Sequence, residues 1–592
     1  MPGRRRRLRR GAYAVAAVAV LYGVALAWSA VQTDRHLRDA QAAVGLLRAD
    51  LVRRDAPPTE VDARLRQVQR EADAARALTS GPVWRLASAV PLVGRPFTTV
   101  AGASGAVADL SHQVLPELRA VQHELLARDL HRPGGVDLAP ITAARQPLAR
   151  AHARAQVILD RVRALPATTG VGAVDRARAQ LVGQVGDLSR QLTTTQDVVT
   201  LVPPMMGADG TRRYLVAFEN STEARGLGGL PGAYAILRAD RGRLTFEHFG
   251  VDSDFGGLQV GLGGLSAGYA QHFQGAAPDR FFGNTTSGPH FPDAAQLLMR
   301  FWQVRSGQHL DGAIATDPSA LAMLLAVTGP TRLADGTVLN AADVVTLTER
   351  DAYARFTDPV QRKAFLVVVA RAVADDVLQR GPARALALAD ALGKAVGERR
   401  LMLYSTRPAE QQVLARQPVG GTLSDTDGPF SAVVINNGGG NKLDYYLGRD
   451  VTYRSGSCQG SQRPATVTIR LTNGAPRSGL TDYVAGRADL PRGSVPPGTN
   501  RLLVSYYATR GAGFDGATLD GRQALLTVDS QAGRPVFTSE LEIGPGQTRT
   551  LVLHVLEPAS ATGPVTTLVQ PLVLPQTTHV AGPVCPAAPA GR

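Results

Sequence analysis

Residues 213–238 read RYLVAFENSTEARGLGGLPGAYAILR, and this stretch decides how the middle of the chain folds. Both ends carry the aromatic and aliphatic residues favoured in strands, giving one strand over 213–219 and another over 232–238. Between them Gly226, Gly228, Gly229, Pro231 and Gly232 predict a glycine-rich loop. That loop gathers Glu219, Glu223 and Arg225 at one sheet edge. The turn Asp240-Arg241-Gly242 then leads into a third strand over 243–249.

Downstream, helical patterns over 293–304, 318–327 and 359–378 alternate with a short buried strand over 311–316. The alternation predicts an α/β core over 201–415. After Pro429 the helical patterns stop. Strand-like runs over 430–435, 444–447, 465–471, 500–507, 524–529, 536–543 and 548–556 are separated by Gly, Pro and Asn turns, predicting an antiparallel β-sandwich over 430–575. The Pro- and Ala-rich tail, 576–592, reads as irregular.

Upstream the pattern is helical over 32–200, a stalk or bundle. Leu37, Ala40, Val44, Leu47 and Leu51 form one stripe, and Pro57-Pro58 ends it. Val61, Leu65, Val68, Ala72 and Ala75 restart the spacing, as an antiparallel return would. Gly81-Pro82 then opens VWRLASAVPLVGRPF (83–97), which reads either as a segment at the membrane surface or as a packed connector. Val107/Leu110/Val114 and Leu181/Val185/Leu188/Leu192 continue the packing stripes.

Residues 11–31 read GAYAVAAVAVLYGVALAWSAV, without charge or proline and long enough to span a bilayer. Arg4, Arg5, Arg6, Arg7, Arg9 and Arg10 precede the run, whereas Asp34, Arg35, Arg38 and Asp39 nearly balance after it. Residues 1–10 are therefore expected to be a cytoplasmic tail, 11–31 a transmembrane helix, and the bulk extracytoplasmic at the plasma membrane. The competing reading is a cleaved signal peptide ending at Ala25-Leu26-Ala27, but the apolar run continues beyond that point. The expected architecture is multidomain α+β.

The formal charge of +14, from 64 Lys+Arg against 50 Asp+Glu, is densest in the N-terminal arginines. No basic block interleaved with aromatic residues occurs elsewhere, which argues against nucleic acid as a partner. Cys458 and Cys585 stand beyond the apolar run. In an oxidising compartment they would pair, and the alternative is two free thiols.

Several residue groups have the composition of a site. Arg225 reads either as a phosphate-binding cation or as the ion-pair partner of Glu219 or Glu223. Asp252 and Asp254 end the third strand, where two carboxylates would hold Mg²⁺ or position a proton, unless the segment is a solvated turn. Gly264-Leu-Ser266-Ala-Gly268 has the GxSxG spacing, but the glycine-rich run before it is no strand, so a nucleophile elbow is not expected. Around the start of the 359–378 helix stand Arg350, Tyr353, Arg355, Arg362 and Lys363, with Asp358 placed to cap it.

The run at 213–238, the segment GPVWRLASAVPLVGRPF, the runs DGAIATDPSAL and TGPTRL, and NNGGGNKLDYYLGRDVTY resemble an actinobacterial envelope-protein family catalogued as domain-of-unknown-function family 4012. That resemblance implies a single-pass anchor, an external α/β core and a β-rich C-terminal part. The order of the core is similar to the LytR-CpsA-Psr family, external phosphotransferases that move glycopolymers from polyprenyl-pyrophosphate lipids to the cell wall. It implies catalytic roles for Arg225, Asp252 and Asp254, Mg²⁺ on the two aspartates, and ligand binding by Glu219, Arg355 and Arg362. Two departures stand out: the usual Arg-Asp pair is Val251-Asp252-Ser253-Asp254 here, and the paired glycines are Gly329-Pro330. The two expectations are a factor binding or transferring lipid-linked glycopolymer phosphate, and a non-catalytic envelope scaffold.

Overall fold

In the computed structural model, residues 3–52, 57–91, 93–126, 130–132, 135–381, 384–458 and 460–585 are described, and they fall into two compact units. The first comprises the helices up to Met205. The second comprises 131–136 and everything from Met206 onward.

The first unit is a helical bundle: α1 (Gly3–Val52), α2 (Pro58–Ser80), α3 (Pro82–Ser88), α4 (Arg95–Gln113), α5 (Leu115–Leu126), α6 (Leu138–Ala164) and α7 (Gly172–Met205). α2 returns along α1, burying Ala43 and Leu47 against Val61 and Val68, and His36 Nδ1 meets Glu71 Oε2 at 2.7 Å. The buried stripe of α1 is Ala40/Ala43/Leu47, whereas Val44 of the expected stripe is exposed. A second apolar core joins α4 to α7, with Val114, Leu148, Ile158, Val185 and Leu192 at its centre. Pro203 and Pro204 lie inside the end of α7, so the helical part extends past the expected limit at 200.

No helix among the described residues is long and apolar enough to cross a membrane, so the expected span at 11–31 finds no support there. The side chains of residues 11–19, nine of the 21 in that run, lie outside the described residues, although the α1 backbone is continuous through them.

In the second unit, β1 (His131–Arg132), β2 (Gly135–Val136), β3 (Arg212–Arg225), β4 (Gly228–Asp240), β5 (Arg243–Val251), β6 (Gly312–Thr316) and β7 (Leu401–Ser405) form one sheet in the order β1-β2-β5-β4-β3-β6-β7. Only β3 and β6 pair in parallel. Helices α8 (Phe291–Ser306), α9 (Pro318–Thr328) and α10 (Pro359–Arg380) accompany the sheet. α9 and α10 are capped by Asp317 and Asp358, each followed by proline at the first helical position.

The expected glycine-rich loop is instead a continuous hairpin, with β3 running to Arg225 and β4 starting at Gly228. The glycines serve close approach: a Cβ on Gly229 would stand 2.3 Å from the Asn220 carbonyl, and one on Gly226 2.2 Å from the Ser287 carbonyl oxygen.

The rest of the unit is two packed sheets. β8 (Phe430–Asn437), β9 (Leu447–Ser455), β10 (Gln462–Asn473), β11 (Asn500–Tyr507), β12 (Gly513–Leu519), β13 (Arg522–Gln523), β14 (Thr527–Gln531), β15 (Arg534–Ile543), β16 (Thr548–Pro558), β17 (Thr566–Val569) and β18 (Gln576–Ala581) are arranged as β14-β15-β11-β8-β17 and β13-β12-β16-β10-β9-β18. Ile435, Tyr506 and Phe537 of one sheet meet Val467, Ile469 and Leu553 of the other. Two expectations need correction. The sandwich is not wholly antiparallel, because β8–β17 and β9–β18 pair in parallel. The tail is not irregular from 576, because β18 adds a strand beside β9, while 586–592 lie outside the described residues. The run at 444–447 is a 3₁₀ turn over Leu443–Tyr446 ahead of β9. Ala224, near the tip of β3, is buried in the sandwich core, which explains why core and sandwich form one unit.

Cys458 and Cys585 are bonded, with Cα atoms 6.0 Å apart and a sequence separation of 127. Closing a loop of that length restricts the unfolded chain, so reduction should destabilise the second unit by roughly 2–5 kcal/mol. Urea denaturation with and without reductant, beside a Cys458→Ser/Cys585→Ser variant, measures the difference.

Candidate functional site

A cleft of about 150 Å³ opens in the second unit. Its walls come from the β3–β4 hairpin, the start of α9, the turn before α10, α10 itself and the segment leading into β9. Part of its lining is apolar, from Phe218, Leu230, Leu321, Leu366 and Val369. The rest is largely charged.

The charged part begins with a bulge. The register of β3 against β4 shifts between Asn220 and Ala224, freeing the intervening backbone from the ladder. Ser221 N (3.3 Å) and Thr222 N (2.9 Å) donate instead to the Glu349 carboxylate. Glu349 sits in a single π-helical turn, Leu347–Asp351, which widens the helix and aims the side chain at the bulge. Burial, together with the nearby Asp317 charge, pushes Glu349 up to about 8 against the pull of those two amides. Glu219 is likewise pushed up to about 8 by burial and Asp317. It accepts only a 3.3 Å bond from Gly229 N, and its Oε1 has no hydrogen-bond partner. Both groups are thus largely neutral acids at pH 7.

The remaining carboxylates are paired. Glu223 bonds Arg225 Nη2 at 3.0 Å through one oxygen and Lys442 Nζ through the other. Burial raises its carboxyl, but Lys442 and Arg225 together outweigh that and hold it below the ordinary range. Asp317 pairs with Arg400 Nη1 at 2.5 Å while capping α9 through Ala320 N. Asp252 meets Lys363 Nζ at 2.5 Å.

Arg362 breaks the pattern. It is 2% exposed, donates from Nη1 to the Phe356 carbonyl at 3.0 Å, and leaves Nη2 without a partner. Its guanidinium carbon lies 3.9 Å from the Tyr483 ring centre and 5.0 Å from that of Tyr353. Among the described residues no carboxylate pairs with it. A buried guanidinium without a counter-ion has lost its hydration unreplaced, and an anion is what would compensate it.

Of the residues singled out from the sequence as site candidates, Glu219, Asp252, Tyr353, Arg362 and Lys363 line this cleft. Arg225 does not: its guanidinium is consumed by Glu223, Asn284 Oδ1 and the carbonyls of Ala224 and Asn437. The ion-pair alternative, with Glu223, is the one realised. Asp254 faces elsewhere, accepting from Tyr234 Oη at 3.1 Å and Val251 N at 3.0 Å. Arg355 is half-exposed over Phe356 and Phe365 and pairs with Asp335 at 3.3 Å. Asp252 and Asp254 do not converge, and the Lys363 ammonium stands where Mg²⁺ would bind Asp252, so the pair does not fit that ion. Among the described residues no group of three His, Cys, Asp or Glu could hold a metal. Ser266 donates both N and Oγ to Asp293, at 2.7 and 2.5 Å, in a loop with no strand before it, unlike a nucleophile elbow. The sequence reading missed Glu223 as a cleft residue, and Asp317, Glu349, Lys442 and Tyr483 altogether. The runs NNGGGNKLDYY around Lys442 and DGAIATDPSAL around Asp317 were the available signals.

Residues 209–353 match the family described as "Protein of unknown function (DUF4012)". The matched stretch supports the resemblance to that family. It holds Glu219, Glu223, Asp252, Asp317 and Glu349 of the cleft, while Arg362, Lys363, Lys442 and Tyr483 lie beyond it. No curated protein and no solved structure matches the chain, so the similarity to LytR-CpsA-Psr proteins rests on the order of residues alone.

The two raised acids make stability depend on pH. Each folded-state value near 8 exceeds the ordinary carboxyl value, so their contribution is full in acid and is lost as pH rises through about 8. The unfolding free energy from urea titrations should fall from about pH 5 and level off above about pH 8, by at most about 1.4 kcal/mol per pH unit for each group within that window. Glu349→Gln, neutral throughout, should remove about half of that fall.

Proposed function

We propose that the protein is a membrane-anchored, extracytoplasmic envelope factor whose cleft binds the phosphate of a polyprenyl-phosphate or polyprenyl-pyrophosphate lipid carrying a glycopolymer. The observation that carries the reading is Arg362, a buried cation with a free N–H in a cleft whose other cations are already paired. The apolar lining from Phe218 to Val369 supports an amphiphilic ligand, with the phosphate at Arg362 and the first isoprene units against the aliphatic residues. Lys363 and Lys442, though paired, add positive charge near the same place. The neutral Glu219 and Glu349 would donate rather than repel.

The uncharged run at 11–31 behind six arginines supports the anchor, and the Cys458–Cys585 bond fits an oxidising compartment. The reading stops at binding. A transfer step would need a base or metal at the phosphate, and Asp252 is engaged by Lys363.

Native mass spectrometry of the mildly solubilised full chain tests this reading. A co-purifying polyprenyl phosphate is expected, together with farnesyl phosphate binding that Arg362→Met weakens about 10- to 100-fold, the range for a charge-assisted hydrogen bond. Arg225→Ala should instead lower stability. A chain carrying no such lipid, with Arg362→Met indistinguishable from the parent, would leave the scaffold reading standing.

A further inference from the structure

One end of the helical unit is apolar on its outside and hydrogen-bonded on its inside. Tyr22 Oη donates to the Val83 carbonyl at 2.6 Å, and the Trp84 indole Nε1 donates to Ser29 Oγ at 2.7 Å. These bonds fix α3 beside residues 22–29 of α1, with Trp84 buried and packed edge-on to Phe97 at 5.4 Å. Facing outward from the same end are Leu86, Val90 and Val93 beside α3, and Val20, Leu21, Val24, Trp28 and Val31 on α1, all exposed. Leu86 and Val93 are more than 60% exposed, which is unusual for an aliphatic cluster unless it has a partner.

We infer that Leu86, Val90 and Val93, together with the outer part of α1, are embedded in the lipid bilayer as a wedge beside the anchor, rather than held above it. The inference rests on the membrane reading of 11–31 and extends it to a second segment. Two arguments favour lipid over a protein partner. Neither 11–31 nor 86–94 contains a charged residue, while Arg85 and Arg95 flank the second stretch and six arginines precede the first. Such a distribution suits headgroup phosphates around a hydrocarbon interior. Further, the side-chain polar atoms of Tyr22, Ser29 and Trp84 are turned inward and satisfied within the unit, as hydrocarbon requires, whereas a protein interface would use them. The start of α3, which leads into the wedge, is held by these bonds to residues 22–29, inside the uncharged run.

The native cysteines are bonded to each other, so single cysteines can be labelled selectively. Full-length Leu86→Cys, Val90→Cys, Val24→Cys and Glu60→Cys variants, carrying an environment-sensitive fluorophore, would be reconstituted into phosphatidylcholine–phosphatidylglycerol vesicles. Quenching by doxyl-labelled acyl chains would then be compared with quenching by aqueous iodide. At positions 86 and 90, lipid quenching should exceed iodide quenching about threefold or more, with the reverse at 60. Iodide reaching 86 and 90 as readily as 60 would overturn the wedge, as would shielding from both quenchers, which means a protein covers the patch. If 24 alone is lipid-accessible, the anchor stands and the wedge falls. If 24 is also aqueous, both fall.

Discussion

The second unit depends on a constraint common to all buried charge: each ionised group taken from water must meet an opposite charge or a set of hydrogen bonds, or become neutral. Glu223 shows how the constraint is met. Its two oxygens hold Arg225 on its own strand and Lys442 on the approach to β9, so one carboxylate fastens the β3–β4 hairpin to the sandwich. Asp444, next to that lysine, accepts from Ala224 N at 2.8 Å, and Asn437 Nδ2 and Asn500 Nδ2 (2.7 Å each) complete its shell. Removing one partner from such a set typically costs about 3–5 kcal/mol, because the other charge stays buried. Specificity in how the two parts join follows from this polar knot as much as from the apolar contact at Ala224.

The same constraint makes the cleft readable. Glu223, Asp317 and Asp252 are neutralised by cations, and Glu219 and Glu349 by keeping their protons. Arg362 is left over. The interaction with two tyrosine rings offsets part of its lost hydration, but an aromatic face does not accept the in-plane N–H groups. An anionic ligand completes the set without further rearrangement, and this is why the reading of function rests on that one residue.

Much of the architecture was legible in the sequence because it follows from periodicity. The helical return of α2 on α1, the three-strand meander, the proline-started helices at Pro318 and Pro359, and the two-layer β region all come from local pattern. Parallel pairings such as β8–β17 were not legible, since strands distant in sequence choose neighbours by packing. The glycines of 226–232 were misread as a loop because the same residue permits both a turn and close strand approach, and only the Asn220 and Ser287 backbones distinguish them. Within the site, Glu219, Asp252 and Arg362 stood out as charges beside strand or helix ends. Glu349 and Lys442 did not, because their importance comes from a β-bulge and from contacts across more than 100 residues. Arg225 looked like a ligand group for the reason that makes it a good clasp: five donors in a rigid fork.

The central claim is that an anion binds in the cleft where Arg362 is uncompensated and two acids of the same lining are neutral. Titrating the full chain with farnesyl phosphate by calorimetry from about pH 7 to about pH 9.5 tests it most directly, since the phosphate there is already mostly dianionic. The account predicts that affinity falls as pH passes through about 8, when Glu219 and Glu349 ionise in the same cleft. Affinity that stays flat or rises across that window would contradict it.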